Sequence, residues 1–318
     1  MGMLNYEQTA AWLMEHDGFL ILTHVRPDGD TVGCAAGLCR ALRQQGKRAY
    51  VLPDPGLSDL FTEYLEGLYP PADYTPDTVV AVDMAARSMF HDGSKSYLDR
   101  VDLTIDHHPS QECYATHTCL DASRAACGEL MYDIVRQWGE VTAEVALPLY
   151  VAVSTDTGCF MYSNTSAGTH RVAAALMETG IDFYAVNRLH FRTKSFKRLK
   201  LESMLTAGLQ LFDGGKTAIV TLTLDMMEQL AATEEDVDNI SAFVGQVQGV
   251  HTGITIRQLS PRQCKLSVRT EPGELNASAV CALLGGGGHA AAAGATVDGT
   301  PEQAQEAILS AITQVRGF

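Results

Sequence analysis

One histidine and two aspartates lie close together near the start of the chain, at His24, Asp28 and Asp30. The apolar run Phe19–Leu22 before them is typical of a short buried strand, and the spacing of apolar residues over 31–43 is typical of a helix. The three side chains therefore follow the carboxyl end of a strand, where open α/β sheets place their sites. Two carboxylates and an imidazole are donors that suit a divalent cation. A polar loop with an aspartate that caps the helix explains this stretch equally well.

Acidic residues and histidines follow three more apolar runs, over 78–82, 101–105 and 141–154. The side chains at the ends of these runs are Asp83, Asp106, His107, His108 and Asp156. If all these ends meet at one edge of a sheet, they form a pocket of oxygen and imidazole donors that suits Mn²⁺ or another first-row divalent ion. The eight donors exceed what one ion needs, so we expect two ions that share a bridging carboxylate.

Each of these residues also has a simpler explanation when it is taken singly. Asp83 and Asp156 precede expected turns or helices and could be helix caps. His107 could be a hydrogen-bonded core histidine, and His108, which stands beside Pro109, could lie on a surface loop. The repetition at successive element ends favours the metal site over these separate explanations.

Strands and helices alternate along the first part of the chain, which predicts an α/β fold with a parallel sheet and helices on both of its faces. Phe183–Gln210 is long, polar and basic, and we interpret it as a helical connector between two domains. After this connector the pattern indicates half-buried strands at 217–224, 253–258 and 263–270, with an acidic helical region over 226–247. The second part is therefore predicted to be a smaller domain with a mixed sheet.

The composition excludes several classes of function. The chain has 318 residues, of which 46% are hydrophobic and 19% are charged, and its net charge is −15. An acidic protein binds duplex DNA poorly, but it can hold a nucleotide or a short single strand in a local pocket. No apolar run is long enough to cross a membrane, and the first residues do not resemble a signal peptide. The eight cysteines are scattered, so we expect a cytoplasmic protein with reduced thiols.

Four short motifs together resemble those of the DHH phosphoesterase superfamily, in its RecJ-like branch. They are His-x-Arg-Pro-Asp-Gly-Asp-x-x-Gly at 24–33, the single Asp83, Asp-His-His at 106–108 and Thr-Asp-Thr-Gly at 155–158. The four glycines before His289 resemble part of the small DHH-associated substrate domain. The resemblance covers nearly the whole chain, and the compact size is similar to that of the nanoRNase/pAp phosphatase family, the bifunctional oligoribonucleases.

The resemblance implies a role for each motif residue. The ligands of two Mn²⁺ ions would be His24, Asp28, Asp30, Asp83, His107 and Asp156, with Asp83 shared between the ions. Asp106 would orient a ligand histidine, and His108 would face the scissile phosphate as a catalytic residue. The substrate-binding residues of the second domain would be Arg269, His289, Gly286, Gly287 and Gly288.

The resemblance also implies an activity, which is hydrolysis of short RNA oligonucleotides, of 3′-phosphoadenosine 5′-phosphate (pAp), or of both. A hydroxide activated by the two ions would attack phosphorus. A phosphodiesterase for cyclic or linear dinucleotides and a general single-strand exonuclease share every motif, so both stay open as alternatives. A non-catalytic nucleotide sensor is a third alternative, although it would be expected to have lost a metal ligand.

We expect a catalytic domain over 1–187, a helical linker over 188–213 and a substrate-binding domain over 214–318, with the substrate cleft between the domains. The resemblance is compatible with a homodimer. Three residues depart from the pattern of the family. Cys34 replaces a small hydroxyl residue, Gln111 stands where an asparagine often follows the histidine pair, and Ala290 replaces a polar residue. These departures leave the metal ligands unchanged and bear on how the substrate is held.

Overall fold

The computed structural model describes residues 2–237, 240–271 and 273–317. The chain divides into two compact units, Met1–Thr193 and Lys194–Phe318. The domain bounds expected from the sequence remain a prediction, and the terminal residues that they include, Met1 and Phe318, lie outside the described residues. Among the described residues, no helix combines the length and the apolar character that a membrane span requires.

The first unit contains a parallel sheet and most of the long helices. Its strands are β1 (Gly2–Met3), β2 (Phe19–Leu22), β3 (Ala49–Val51), β4 (Thr78–Val82), β5 (Leu103–Asp106) and β6 (His117–Leu120). Its helices are α1 (Tyr6–Glu15), α2 (Gly29–Gln44), α3 (Thr62–Leu65), α4 (Cys127–Val135), α5 (Ala143–Asp156), α6 (Ala167–Glu178) and α7 (Phe183–Asn187).

The sheet of the first unit has the strand order β1-β6-β5-β4-β2-β3, and all of its pairings are parallel. Every residue of β4, with the sequence Thr-Val-Val-Ala-Val, is buried, as expected of a strand that is covered on both faces. The register places Leu22 beside Ala81 and Val82 beside Ile105. The segments that follow β2, β4 and β5 therefore leave the sheet at the same edge.

The two faces of this sheet are covered differently. Phe19 and Ile21 pack in a cluster with α1, α2, α4 and α5, whereas Leu20 and Leu22 pack against residues of the segment 84–115. The sequence predicts helices on both faces. In the structure, however, short 3₁₀ turns such as Lys95–Arg100 cover the second face instead of α-helices. The segment 84–115 contains four aspartates and four serines, which favour turns over a long helix.

Helices α2 and α5 approach each other closely because α2 carries a glycine where they meet. A Cβ atom on Gly33 would lie 2.2 Å from the carbonyl oxygen of Pro148 in α5. No side chain fits there without moving the helix backbone. This contact brings Asp30, in the first turn of α2, towards Asp156, the last residue of α5.

The second unit contains a mixed sheet with helices packed on it. Its strands are β7 (Gln210–Phe212), β8 (Thr217–Leu222), β9 (Thr252–Ser260), β10 (Gln263–Thr270), β11 (Gly287–Gly288) and β12 (Ala292–Asp298). Its helices are α8 (Phe196–Ala207), α9 (Leu224–Leu230), α10 (Ala277–Ala282) and α11 (Pro301–Arg316). The strand order is β11-β12-β10-β9-β8-β7, in which β8 and β9 are parallel and the other pairs antiparallel. The predicted α/β fold with two sheets is confirmed.

Two helix predictions are confirmed only in part. The segment Phe183–Gln210 is interrupted after a wide turn at Arg188–Arg192, and a new helix starts where the side chain of Ser195 accepts a hydrogen bond from the Arg198 amide. In the acidic region over 226–247, α9 ends at Leu230, because Ala231 adopts a left-handed conformation, and short 3₁₀ turns follow. Asp238 and Asn239 of that region lie outside the described residues.

Candidate metal centre

The elements of the first unit place the donor side chains at one edge of the sheet. His24 follows β2, Asp83 follows β4, and the Asp-His-His motif begins with the last residue of β5. Asp28 and Asp30 stand at the start of α2, and Asp156 is the last residue of α5, so this donor comes from a helix end and not from a strand end.

Three overlapping groups of these side chains have ligand atoms within 4.8 Å of one another. The groups found among the described residues are His24, Asp28 and Asp83; Asp30, His107 and Asp156; and Asp83, His107 and His108. All six residues that the sequence nominates as metal ligands therefore come together, and His108 joins them. Asp83 belongs to two of the groups.

The distances show how Asp83 lies between two histidines. His24 Nε2 is 3.9 Å from one oxygen of Asp83, and His107 Nε2 is 3.5 Å from the other. His107 Nε2 is also 3.8 Å from Asp30 and 3.6 Å from Asp156. One carboxylate thus reaches two separate sets of donors, as expected of a carboxylate that bridges two ions.

Asp28 is both a helix cap and a member of the cluster. Its Oδ1 atom accepts hydrogen bonds from the amides of Asp30, at 3.1 Å, and Thr31, at 3.3 Å. The same oxygen is 3.4 Å from His24 Nε2. Asp28 can therefore cap α2 and be a metal ligand at the same time. Asp83 and Asp156 are not N-caps of any helix in the described part of the chain.

Asp30 is held by the start of α4. Its two carboxylate oxygens accept hydrogen bonds from the amides of Cys127, at 2.6 Å, and Gly128, at 2.9 Å. The Sγ atom of Cys34 donates to Asp30 at 3.3 Å. Cys34 stands where the resemblance implies a small hydroxyl residue. Its thiol thus replaces a hydroxyl group as the hydrogen-bond donor to Asp30.

Asp106 orients the histidine pair. Its Oδ1 atom accepts hydrogen bonds from the amides of His107, at 2.7 Å, and His108, at 3.1 Å, and from His108 Nδ1 at 2.8 Å. Its Oδ2 atom accepts from Gln111 Nε2 at 2.6 Å. Gln111 also donates to the carbonyl of Met84, at 2.9 Å. Gln111 therefore positions Asp106, a role that the sequence did not indicate.

Arg124 contributes through its main chain. Its carbonyl oxygen lies 3.2 Å from His107 Nδ1, which leaves Nε2 of that ring facing the carboxylates. The Arg124 side chain is itself fixed by Glu129 and Asp133, at 3.3 and 2.6 Å. No sequence signal marks this residue, because the main chain of any residue provides a carbonyl.

Burial and mutual repulsion make the carboxylates hard to ionise in the absence of a cation. Burial, and then the charges of Asp156 and Asp28, raise the pKa of Asp30 well above its ordinary value. Burial, together with the charges of Asp30 and Asp28, does the same to the pKa of Asp83. The pKa of Asp156 is raised to about 7, chiefly by burial.

The histidines respond in opposite directions. The hydrogen bond to Asp106 raises the pKa of His108, whereas burial and the neighbouring His108 lower the pKa of His107. Burial alone would lower the pKa of His24, but its hydrogen bond and charge interaction with Asp28 outweigh burial and raise it. His107 is thus held in the neutral form that a metal ligand needs.

Asp83 also has an unusual backbone. Its φ angle is +53°, in the left-handed region that non-glycine residues seldom adopt. The side chain is 2% exposed, and its Oδ1 atom is buried without a hydrogen-bond partner. A strained backbone and an unpaired buried oxygen at one residue indicate a site that is completed by something outside the chain.

Four of the five nominated residues of the second unit, Gly286, Gly287, Gly288 and His289, lie on or next to a hairpin, and the fifth, Arg269, lies on β10. Gly287 and Gly288 form β11 and pair with β12, and the His289 amide donates to the Ala292 carbonyl at 2.8 Å. Gly286 donates its amide to the Cys281 carbonyl at 2.8 Å. The glycine run is therefore one side of a tight hairpin. His289 is exposed, and Arg269 is half-buried near the end of β10.

Comparison with known proteins decides the family. The family model described as "DHH family, N-terminal domain" matches residues 18–154, and the model of the DHHA1 domain matches residues 215–316. A relative from Thermus thermophilus, named bifunctional oligoribonuclease and PAP phosphatase NrnA, is 34% identical over 299 residues. The match covers 92% of this chain and 89% of that protein. The chain belongs to the DHH family. Its predicted class, a hydrolase of the DHH phosphoesterase type, is confirmed.

Two solved structures share the fold of nearly the whole chain. An exopolyphosphatase-related protein from Bacteroides fragilis has a TM-score of 0.87 at 22% identity, covering 97% of this chain and 96% of that one. RecJ from Thermus thermophilus, solved in complex with Mn²⁺, has a TM-score of 0.52 at 16% identity, covering 98% of this chain and 55% of that one. At these identities the likeness concerns the fold alone.

Proposed function

We propose that this DHH-family chain is a Mn²⁺-dependent phosphoesterase that hydrolyses short RNA oligonucleotides and pAp. The observation that carries the proposal is the overlap of three donor groups, two of which share Asp83. The name of the Thermus thermophilus relative supports both substrates, and the Mn²⁺ in the RecJ structure supports the choice of ion.

The residues present fit a pair of divalent cations. Buried carboxylates that repel one another are stable together only if they are protonated or if a cation neutralises them. The Oδ1 atom of Asp83, which has no hydrogen-bond partner among the described residues and lies 3.5 Å from His107 Nε2, is an available ligand atom. The donors are oxygen and imidazole, and the nearby Cys34 thiol is engaged as a hydrogen-bond donor, so the site suits Mn²⁺ better than a structural zinc ion.

In this proposal, His24, Asp28 and Asp83 would hold one ion. Asp30, His107 and Asp156 would hold the other, with Asp83 available to both. When bound, two such ions supply positive charge for the phosphoryl oxygens and acidify a water molecule. The chain supplies the fixed geometry through the α4 amides on Asp30 and the Arg124 carbonyl on His107.

His108 is the group of the chain that we assign to proton transfer. Asp106 accepts from its Nδ1 atom, which leaves Nε2 free to face a substrate. The same hydrogen bond raises the pKa of His108, so the ring keeps its proton to a higher pH than an ordinary histidine. His108 therefore donates a proton, or a hydrogen bond, to the leaving oxygen. Asp106 orients it and stabilises its charged form.

In the second unit, we assign phosphate binding to Arg269 and His289. Arginine suits a phosphate because its guanidinium donates two parallel hydrogen bonds. The exposed His289 follows a glycine hairpin whose lack of side chains leaves room for a ligand close to the backbone. Contacts of this kind determine how tightly a substrate binds, while the cluster in the first unit carries the chemistry.

The test is an assay of the purified full chain with Mn²⁺ on pAp, on RNA of two to five nucleotides and on cyclic di-AMP. We expect hydrolysis of pAp and of the short RNAs, loss of this hydrolysis after chelation, and recovery when Mn²⁺ is restored. Hydrolysis of the cyclic dinucleotide alone would contradict the proposed substrates. Nucleotide binding without any hydrolysis would identify a sensor and overturn the assignment.

A further inference from the structure

The loop that follows Asp156 has an unusual backbone. Gly158, Cys159 and Phe160 have φ angles of +55°, +56° and +65°, so three consecutive residues are left-handed. Residues with a Cβ atom seldom adopt this conformation, and runs of it are rarer still. A strained loop that directly follows a candidate metal ligand calls for a functional explanation.

The loop is fixed in place by hydrogen bonds. The carbonyl of Thr157 accepts from the amides of both Met161 and Tyr162, at 3.0 Å each. The side chain of Asn164 donates to the carbonyls of Ala125 and Asp156, at 3.1 Å each. The loop is therefore tied to the segment that precedes α4 and to the main chain of a donor residue.

One aromatic side chain of the loop packs inward and another is exposed. Phe160 stacks on His170, with 5.2 Å between the ring centroids. Tyr162 is 46% exposed. A Cβ atom on Gly158 would lie 2.4 Å from Cε1 and Cζ of the Tyr162 ring, so this ring rests on the glycine backbone. The loop thus presents an aromatic ring to solvent in one orientation.

We propose that Tyr162 is a nucleobase-binding residue, on whose ring a base of the substrate stacks. The inference rests on the proposed function, because it assumes that a nucleotide phosphate lies at the centre. Gly158 follows Asp156 by two residues, so their Cα atoms are at most about 7 Å apart. The ring that rests on Gly158 is therefore within the reach of a single nucleotide.

Stacking on Tyr162 would give a preference for nucleotides that the centre alone does not provide. Every base has a π-face, so an aromatic platform binds nucleotides with little regard to sequence. A ring that is already held in place loses little conformational entropy on binding. Tyr162 would thus favour the binding of nucleotides over simple phosphoesters without discriminating between the bases.

The test compares an RNA dinucleotide with the same dinucleotide lacking its bases. For Tyr162→Ala, we expect the ratio of kcat/KM between the base-containing and the abasic substrate to fall about 10-fold. Tyr162→Phe keeps the ring and should keep the ratio. Tyr184→Ala is the matched control, because Tyr184 is also an exposed tyrosine of the first unit, 59% exposed, but lies on α7. An unchanged ratio in Tyr162→Ala, or an equal loss on both substrates, would overturn the proposal.

A binding experiment separates this inference from the proposed function. Calorimetry of the Mn²⁺-loaded chain with AMP and with ribose 5-phosphate requires no turnover. We expect Tyr162→Ala to weaken AMP binding about 10-fold and to leave ribose 5-phosphate binding unchanged. If the wild-type chain hydrolyses nothing, the proposed function fails, and the calorimetry still decides the role of Tyr162. Equal affinity of wild type and variant for AMP would refute that role.

Discussion

The candidate metal centre of the first unit and the glycine hairpin of the second unit are built in opposite ways. At the centre, Asp30, Asp83 and Asp106 are at most 2% exposed, and hydrogen bonds from several elements fix the carboxylates and histidines around them. On the hairpin, His289 is exposed and the neighbouring glycines bond mainly within the hairpin itself.

This difference separates two tasks of an enzyme. Buried and pre-oriented donors are already desolvated before a substrate binds. Such donors are required where charge develops during the reaction. Exposed side chains keep their solvation and rotamers until a ligand binds, which suits the recognition of a substrate. Variants at the centre should therefore change turnover, and variants on the hairpin should change affinity.

The largest effect is expected at Asp83. We expect Asp83→Asn, which an αL backbone tolerates, to lower kcat by about 1000-fold or more, because it removes the shared ligand. The metal-free variant should melt at the same temperature as wild type or higher, because a neutral amide replaces a buried carboxyl group that burial and the charge of Asp30 make hard to ionise. Asp99→Asn, at an exposed carboxylate of the same unit, is the matched control. Substantial turnover by Asp83→Asn would rule out the two-ion site.

A smaller loss is expected at Gln111. Gln111→Met removes the donor to Asp106 and should lower kcat about 10- to 100-fold, while Mn²⁺ affinity measured by calorimetry stays within about two-fold. Gln111→Asn should keep more of the activity than Gln111→Met. Gln44→Met removes an amide that donates to Thr142 elsewhere in the first unit and should leave kcat unchanged. A parallel loss of Mn²⁺ affinity in Gln111→Met would place this residue among the determinants of the metal site.

On the hairpin, the effect should appear in KM. We expect His289→Ala to raise KM for short RNA about 10-fold, because a hydrogen bond to a charged phosphate is lost, and to leave Mn²⁺ affinity unchanged. His251→Ala is the matched control, since His251 is bonded to Glu271 in the same unit. A loss in kcat without a change in KM would contradict the division of tasks between the two units.

The smallest effect is expected at His190, a residue outside the metal centre, and it concerns how stability depends on pH. Burial lowers the pKa of His190 to about 4, and its ring is hydrogen-bonded to Tyr64. Between about pH 6.5 and 4 the unfolded chain therefore binds a proton that the folded chain does not, so stability from this residue is lost as the pH falls.

The measurement is the melting temperature of wild type and His190→Gln across this range of pH. We expect the advantage of wild type over the variant to shrink by a few degrees between pH 7 and 5. The pH profile of kcat should be the same in both proteins. A constant difference in melting temperature would show that the pKa of His190 is the same in the folded and the unfolded chain.

The sequence predicted the first unit better than the second because its strands are continuous apolar runs. The strands β2 and β4 coincide with the predicted runs, and their carboxyl ends meet at one sheet edge. Strand β6 was not predicted, since His-Thr-Cys-Leu contains no apolar run. Strand β12 was not predicted either, because alanine and glycine have little preference for strands, and its pairing with β10 decides its structure.

The donors of the site were predictable, and the residues that orient them were not. His24, Asp28 and Asp30 stand within one short motif, whereas Gln111 and Arg124 act through contacts that only the folded chain provides. The assigned roles of the donors stay predictions until the variants above are measured. The raised pKa values likewise depend on burial, which local sequence does not encode.

Asp30 has a consequence for how the protein is assembled. It is bonded to Cys127, a residue 97 positions away, and so it joins the amino ends of two helices at the floor of the pocket. A chain in which those helices have formed but have not yet docked therefore lacks the two amides that hold Asp30 in place. A ligand that binds only the native state shifts the folding equilibrium towards that state. The concentration of divalent cations would therefore determine the fraction of folded protein as well as the rate of hydrolysis.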